Sequence, residues 1–271
     1  MSLKILVLTI INIFSALLQS NTFSAFFSGQ KLITLNEIDS TNDYLKERLS
    51  KSTPVKEGTV IMAVDQKKGR GQRGNSWVGE AGKNLTFSIL LNPSFLTVDE
   101  QFDLNITISS SIIQTLKPLL GDQVLVKWPN DIYVGDKKLG GILIENMISG
   151  SEWKNSIVGI GINVNQDYFE NLTQACSIKQ LLQEEYILTD LLYELCKRID
   201  TNYTELKTHG VSQLKAFYIR HLFGLNQVRE FSIDGILVQG KIVGVDHAGQ
   251  LLVTFGEYTA KFGFKEIGFI F

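Results

Sequence analysis

The sequence is poor in the residues that build metal centres and disulfide scaffolds. Two cysteines, Cys176 and Cys196, are too few for a disulfide framework or a zinc site. Three histidines, His209, His221 and His247, show no ligand spacing and read as surface or packing residues. Basic charge is not in excess either. The formal net charge of −2 argues against an electrostatically driven partner such as DNA. Internal repeats and low-complexity linkers are missing, so any two domains are expected to pack directly. What remains is ordinary: 271 residues, 44% apolar and 20% charged, enough for one large core and a small second domain. The chain reads as intracellular.

One segment runs against that reading. Met1 to Leu18 carries a single lysine and then an apolar stretch broken by Thr9, Asn12 and Ser15. This is the layout of a secretory signal peptide, and it is short for a transmembrane span. Residues 1–30 are therefore read as a signal-like or mis-assigned start and set apart from the fold. They are also too short to supply a winged DNA-reading domain with its recognition helix.

The most informative stretch is Gly69-Arg70-Gly71-Gln72-Arg73-Gly74-Asn75-Ser76-Trp77, directly after the strand-like Thr59–Val64. Glycines let a backbone approach a ligand closely, and each arginine offers a planar fork suited to carboxylate or phosphate. Such a loop is built to wrap an anion. It matches G-x-G-x-x-G, but a dinucleotide fingerprint must open a helix. Here a turn-rich stretch and another strand, Leu85–Leu91, follow instead.

Three further segments accompany the loop. Asp39-Ser40-Thr41-Asn42 precedes it, Val126-Lys127-Trp128-Pro129-Asn130-Asp131 through Lys138-Leu139-Gly140-Gly141 follows, and Gly159-Ile160-Gly161-Ile162-Asn163 comes last. Ser40 is a good N-cap for a helix through Leu49. A helix fits Gln101 to Leu119, where apolar residues recur at helical spacing. Strands fit Gln123–Lys127, Ile132–Val134, Leu139–Asn146 and Ser156–Asn163, with a hairpin turn at Gly135-Asp136. Helices fit Ile178–Glu184, Thr189–Lys207 and Val211–His221. After Gly224, short strands between turn signals read as a small barrel.

The four segments, in this order and spacing, resemble the biotin–protein ligases from Leu32 to the C-terminus. The resemblance implies an α+β fold: a central mixed β-sheet flanked by helices, of the class II aminoacyl-tRNA synthetase and biotin–lipoate ligase type. It places a catalytic biotin- and ATP-binding domain at residues 31–224 and an SH3-like C-terminal domain at 225–271. The implied form is monofunctional, without the DNA-binding domain. The implied activity is conversion of biotin and ATP to biotinyl-5′-AMP, followed by transfer to a lysine of the biotin carboxyl carrier domain of acetyl-CoA carboxylase or a related carboxylase. Nucleic acid and membrane are not expected partners, the cytoplasm is the expected compartment, and a homodimer is the assembly allowed.

The resemblance also assigns roles. Arg70, Lys138 and Lys127 are the catalytic candidates, Arg70 bridging carboxylate and phosphate. Ser40, Thr41, Asn42 and Gln66 match positions that read the biotin ring, with Arg70, Gly71, Gln72, Lys138, Gly141 and Gly161 lining its slot. Arg70, Arg73, Lys127, Asn130, Lys138 and Asn163 are expected at ATP and the adenylate, and Asp131 at Mg²⁺. Trp77 is read as an adenine stack or a packing residue. Gln72 departs from the pattern, standing where a bacterial member has a third arginine. The lost charge is expected to loosen retention of the adenylate under a loop, 67–76, that orders on ligand binding. Rival readings are a lipoate–protein ligase-like enzyme and a non-catalytic biotin or nucleotide sensor.

Overall fold

The computed structural model describes residues 32–51, 54–170 and 172–271. The apolar N-terminal segment lies outside the described residues. Among those residues no helix is long and apolar enough to cross a membrane.

β1 (Leu32–Ile38) leads into α1 (Thr41–Ser50), whose N-cap Ser40 is extended and accepts the Asp43 N–H at 3.3 Å. β2 (Val60–Gln66) returns beside β1, and the arginine-rich loop folds as a two-residue ladder, β3 (Gly69–Arg70) with β4 (Ser76–Trp77). β5 (Leu85–Leu91) precedes α2 (Gln101–Leu120), which Gly121 ends at a φ of 74°. β6 (Val124–Lys127), β7 (Asp131–Val134), β8 (Lys137–Ser149) and β9 (Glu152–Ile162) form a meander. α3 (Ile178–Leu182), α4 (Leu188–His209) and α5 (Ser212–Arg220) follow.

These strands form one seven-stranded sheet in the order β1-β2-β5-β9-β8-β7-β6. Only β1 and β2 run parallel, so the sheet is mixed, as expected. The period of two along each strand sorts side chains onto its faces. Phe87, Ile89 and Leu91 with Val158, Ile160 and Ile162 join the main core, shared with Leu104, Ile108, Leu195 and Ile199 of α2 and α4. On the other face Leu45 of α1 packs with Ile61, Leu90 and Ile157. Burying Leu45 completely is worth roughly 1.5–3 kcal/mol. α1 covers only part of that face. The uncovered part carries glycines.

The C-terminal strands, β10 (Val228–Ile233), β11 (Ile236–Val245), β12 (Leu251–Phe255), β13 (Tyr258–Phe262) and β14 (Gly268–Phe269), make a five-stranded antiparallel sheet. It packs directly on the larger unit. Trp128 Nε1 donates to the Gly249 carbonyl at 2.8 Å, and the Trp128 ring lies 5.2 Å from that of Phe264. Gly249 must be glycine twice over: its φ is 83°, and a Cβ there would collide with the Phe102 ring of α2.

Candidate functional site

A single cross-strand row builds the floor of the main cleft. Ala63, Thr86, Gly161, Gly141, Asp131 and Lys127 stand opposite one another across β2, β5, β9, β8, β7 and β6. Cross-strand partners share a face, so this row runs from apolar through glycine to charged. The cleft above it has a volume of about 350 Å³. Ser40, Thr41, Asn42 and Gln66 line one part; Lys127, Asn130, Asp131 and Lys138 line another. Arg70, Gly71, Gln72 and Trp77 overhang it from the β3–β4 hairpin.

Lys138 reaches the cleft through an irregularity. In an unbroken strand, residues 138 and 141 point to opposite faces. Here Gly140 pairs with Ile132 but Lys138 pairs with Tyr133, so Leu139 is one residue too many on β8. This bulge turns Lys138 onto the face of Asp131 and Gly141. Its Nζ lies 2.6 Å from Asp131 Oδ1. The backbone freed by the bulge is taken up elsewhere: Lys138 N–H donates to the Gln174 carbonyl at 2.6 Å, and Cys176 N–H to the Lys138 carbonyl at 2.9 Å.

The neutral end is a hydrogen-bonded cluster of short polar side chains. Gln66 Oε1 accepts from the Thr41 N–H at 2.8 Å and lies 3.1 Å from Thr41 Oγ1. Ser88 Oγ lies 2.7 Å from Thr41 Oγ1 and 2.5 Å from Asn42 Oδ1. Gly159 leaves room for Asn42, since a Cβ there would stand 2.5 Å from Asn42 Oδ1. Trp77 lies over Gly161, and its Nε1 is buried without a partner among the described residues.

Arg70 is held from outside the cleft by carboxylates. Its Nη2 lies 2.6 Å from Asp43 Oδ1 and 3.0 Å from Glu145 Oε2. Glu145 also accepts from Lys46 Nζ at 2.5 Å and Asn42 Nδ2 at 2.8 Å. Burial pushes the Glu145 carboxyl up, but the bonds from Lys46 and Asn42 and the charges of Lys46 and Arg70 outweigh it, holding the group below its ordinary value of 4.5. A carboxyl depressed by folding stabilises the fold above its unfolded value and loses that contribution as pH falls through its folded value. Glu145→Gln is therefore expected to be less stable than the parent by about 1 kcal/mol at pH 7. The deficit should shrink below pH 4.5. Urea midpoints across that range check this, and a deficit independent of pH would refute it.

Lys127 stands opposite Asp131 across the β6–β7 ladder. Burial lowers its affinity for a proton; the charge of Asp131 works against that and the charge of Lys138 with it. Burial also pushes the Cys176 thiol up to about 11, so it stays a neutral packing group.

The structure brings together Ser40, Thr41, Asn42, Gln66, Arg70, Gly71, Gln72, Lys127, Asn130, Asp131, Lys138, Gly141 and Gly161. Asn130 donates from Nδ2 to the Ile142 carbonyl at 2.6 Å. Asn163, expected at the nucleotide, does not line the cleft. It is buried, and its Nδ2 donates to the Cys176 carbonyl at 3.0 Å, tying β9 to the segment that supports Lys138. The Arg73 side chain lies outside the described residues. Sequence reasoning passed over Glu145, Thr86 and Gly159, and the C-terminal Phe264, Lys265 and Phe269 that wall the cleft. Of these, only Glu145 carried a local signal, a charge inside the strand Leu139–Asn146.

The chain matches the profile of the Biotin/lipoate A/B protein ligase family over residues 35–163. It is 30% identical over 230 residues to the bifunctional ligase/repressor BirA of Bacillus spizizenii, covering 83% of this chain and 70% of that protein. Among solved structures it is similar to the biotin protein ligase from Aquifex aeolicus in complex with biotin and ATP. The TM-score is 0.74 at 30% identity, over 88% of this chain and 97% of that one.

Proposed function

The chain belongs to the biotin/lipoate A/B protein ligase family, and from that premise we propose that it is a biotin–protein ligase. It activates biotin with ATP to biotinyl-5′-AMP and passes the biotinyl group to an acceptor lysine. The observation that carries this is the make-up of the cleft: the neutral Thr41, Gln66 and Ser88 cluster on one side, the glycines of the row on its floor, and Asp131 and Lys127 at the charged end of that row. Biotin has that polarity: a neutral polar ring, an apolar tail and a carboxylate.

The adenylating step joins two anions, as the biotin carboxylate attacks the α-phosphate and pyrophosphate leaves. Fixed cations in a walled site lower that barrier most, because they need no reorganisation. Arg70 supplies a fork for carboxylate and phosphate together. Its two carboxylate contacts fall on one nitrogen, and a guanidinium has five N–H donors. Lys138 follows the charge that develops between the reacting groups, and Lys127 meets phosphate. The Trp77 N–H gives the slot a further donor. In the second step the acceptor amine attacks the mixed anhydride directly and AMP leaves, so no enzyme nucleophile is needed.

Among the described residues no three His, Cys, Asp or Glu side chains gather as metal ligands. Asp131, the acid among the described cleft residues, is already paired with Lys138. That donor set fits Mg²⁺ carried by nucleotide phosphates, with Asp131 adding one oxygen. The ion would offset charge on the departing pyrophosphate. The acceptor is the biotin carboxyl carrier domain of a carboxylase, and the compartment is the cytoplasm, where ATP and that acceptor meet.

The test is exchange of labelled pyrophosphate into ATP. Exchange that depends on biotin and not on lipoate is expected. Exchange with lipoate alone would make the chain a lipoate ligase, and exchange with neither acid would sink the adenylating reading.

A further inference from the structure

Lys127 enters the cleft through an aromatic wall. Its Nζ lies 4.9 Å from the ring centre of Phe269, 5.2 Å from Phe271 and 5.3 Å from Tyr133. Two of the three rings belong to the C-terminal unit. Each is fixed from behind: Phe269 stands opposite Phe231 in the β14–β10 ladder, and Phe271 stacks on Tyr133 with centres 5.9 Å apart. Lys127 and Phe269 both line the cleft. Asp131, the cross-strand neighbour of Lys127, gives its 2.6 Å contact to Lys138 instead.

We propose that Phe269 and Phe271 are positioning residues, which with Tyr133 cage the Lys127 ammonium by cation–π attraction and so complete the nucleotide-phosphate site from the C-terminal unit. The inference rests on the ligase reading above. Removing an ammonium from water is costly, and three negative ring faces return part of what hydration supplied. A charge held this way has little water to shed when a phosphate arrives. It therefore attracts that phosphate more strongly than a hydrated surface lysine does. Rings differ from carboxylates here in a useful way: they hold the cation without neutralising it. The C-terminal unit thereby takes part in ATP binding rather than only capping the fold.

Fluorination of the ring separates this role from packing, because it drains the ring face while nearly preserving shape. With mono-, di- and trifluorophenylalanine at position 269, KM for ATP in biotin-dependent exchange should rise stepwise, by roughly threefold to thirtyfold at trifluoro. KM for biotin, kcat and Tm should stay near their parent values, the pattern of an interaction made equally in ground and transition states. Phe269→Leu should resemble the trifluoro protein, and Phe269→Tyr should resemble the parent. The same series at Phe95, whose ring lies 6.0 Å from Lys207, serves as control and should change nothing. A flat KM for ATP across the series, with parental exchange intact, would overturn the cage. Absence of exchange in the parent would instead overturn the ligase reading and with it the role in catalysis. The cage itself is then decided by the ¹³C-dimethyl resonance of Lys127 after reductive methylation. Ring currents from the three rings should displace it upfield, and Phe269→Leu, which leaves Phe271 and Tyr133 in place, should move it part of the way back. An undisplaced resonance refutes the cage.

Discussion

Replacing Arg70 by alanine should lower kcat/KM for biotin-dependent pyrophosphate exchange by about 10²–10³-fold while leaving the fold nearly as stable as before. The two halves of that expectation come from different contacts. Stability is insensitive because the Arg70 side chain is 39% exposed, and its ion pairs to Asp43 and Glu145 are shared with water. Glu145 keeps Lys46 and Asn42 when Arg70 is gone, so no buried carboxylate is left bare. Catalysis is sensitive because, among the described side chains, Arg70 is the fork that lines the cleft, whereas Lys127 and Lys138 offer point charges. Arg70→Lys should accordingly recover part of the charge effect but not the alignment of carboxylate with phosphate. Exchange kinetics beside thermal unfolding check both halves. Undiminished exchange in Arg70→Ala would remove Arg70 from the chemistry and leave it as a latch between the hairpin, α1 and β8.

What the chain revealed in advance follows the distance over which each feature is written. The Gly-Arg-Gly loop, the Lys-Trp-Pro-Asn-Asp segment and the Ser40 cap are local, so their residue types and spacing carried them. The helices and strands of the catalytic unit were legible for the same reason, though the loop at Arg70 proved to be a hairpin and β8 ran longer than Leu139–Asn146. The bulge at Leu139 was not legible, because it exists only in the register between β7 and β8. Nor was Glu145, whose meaning comes from Lys46 and Arg70, residues brought to it by α1 and the hairpin. Asn163 lies apart from the cleft lining for a related reason. It lies beside glycines that do face the cleft, but β9 ends at Ile162, and beyond it the chain turns towards Cys176. Two of the three rings around Lys127, Phe269 and Phe271, come from the C-terminal unit, and no spacing in the sequence announces which of its residues meet the cleft.

Glycines in the row give the second large effect. Gly161→Ala is expected to destabilise the protein by about 1–3 kcal/mol and to raise KM for biotin by roughly 10–100-fold. The strand geometry at Gly161 suits any L residue, so the cost is purely steric. A Cβ would fall 2.6 Å from Trp77 Cζ2 and 2.8 Å from Cδ2, distances that real Cβ atoms do not tolerate. The indole cannot simply back away, because Trp77 is paired with Gly69 across the hairpin. A Cβ at Gly69 in turn would meet the Trp77 carbonyl, so the hairpin is already close-packed. The ring must therefore swing over the slot or lift the hairpin, and either movement spoils the place where biotin lies. Removing the ring should relieve the strain: Trp77→Leu in the Gly161→Ala background should be more stable than Gly161→Ala alone, a coupling of about 1–2 kcal/mol. Strict additivity of the two changes would sink the steric account. The other slot glycines grade the effect. Gly141 leaves 3.3 Å to Asp131 Oδ1, tight but adjustable, whereas Gly71 leaves 3.4 Å to Asn75, an ordinary contact. Alanine should thus be tolerated best at Gly71, less well at Gly141 and worst at Gly161, an order set by the height of the groups above each position.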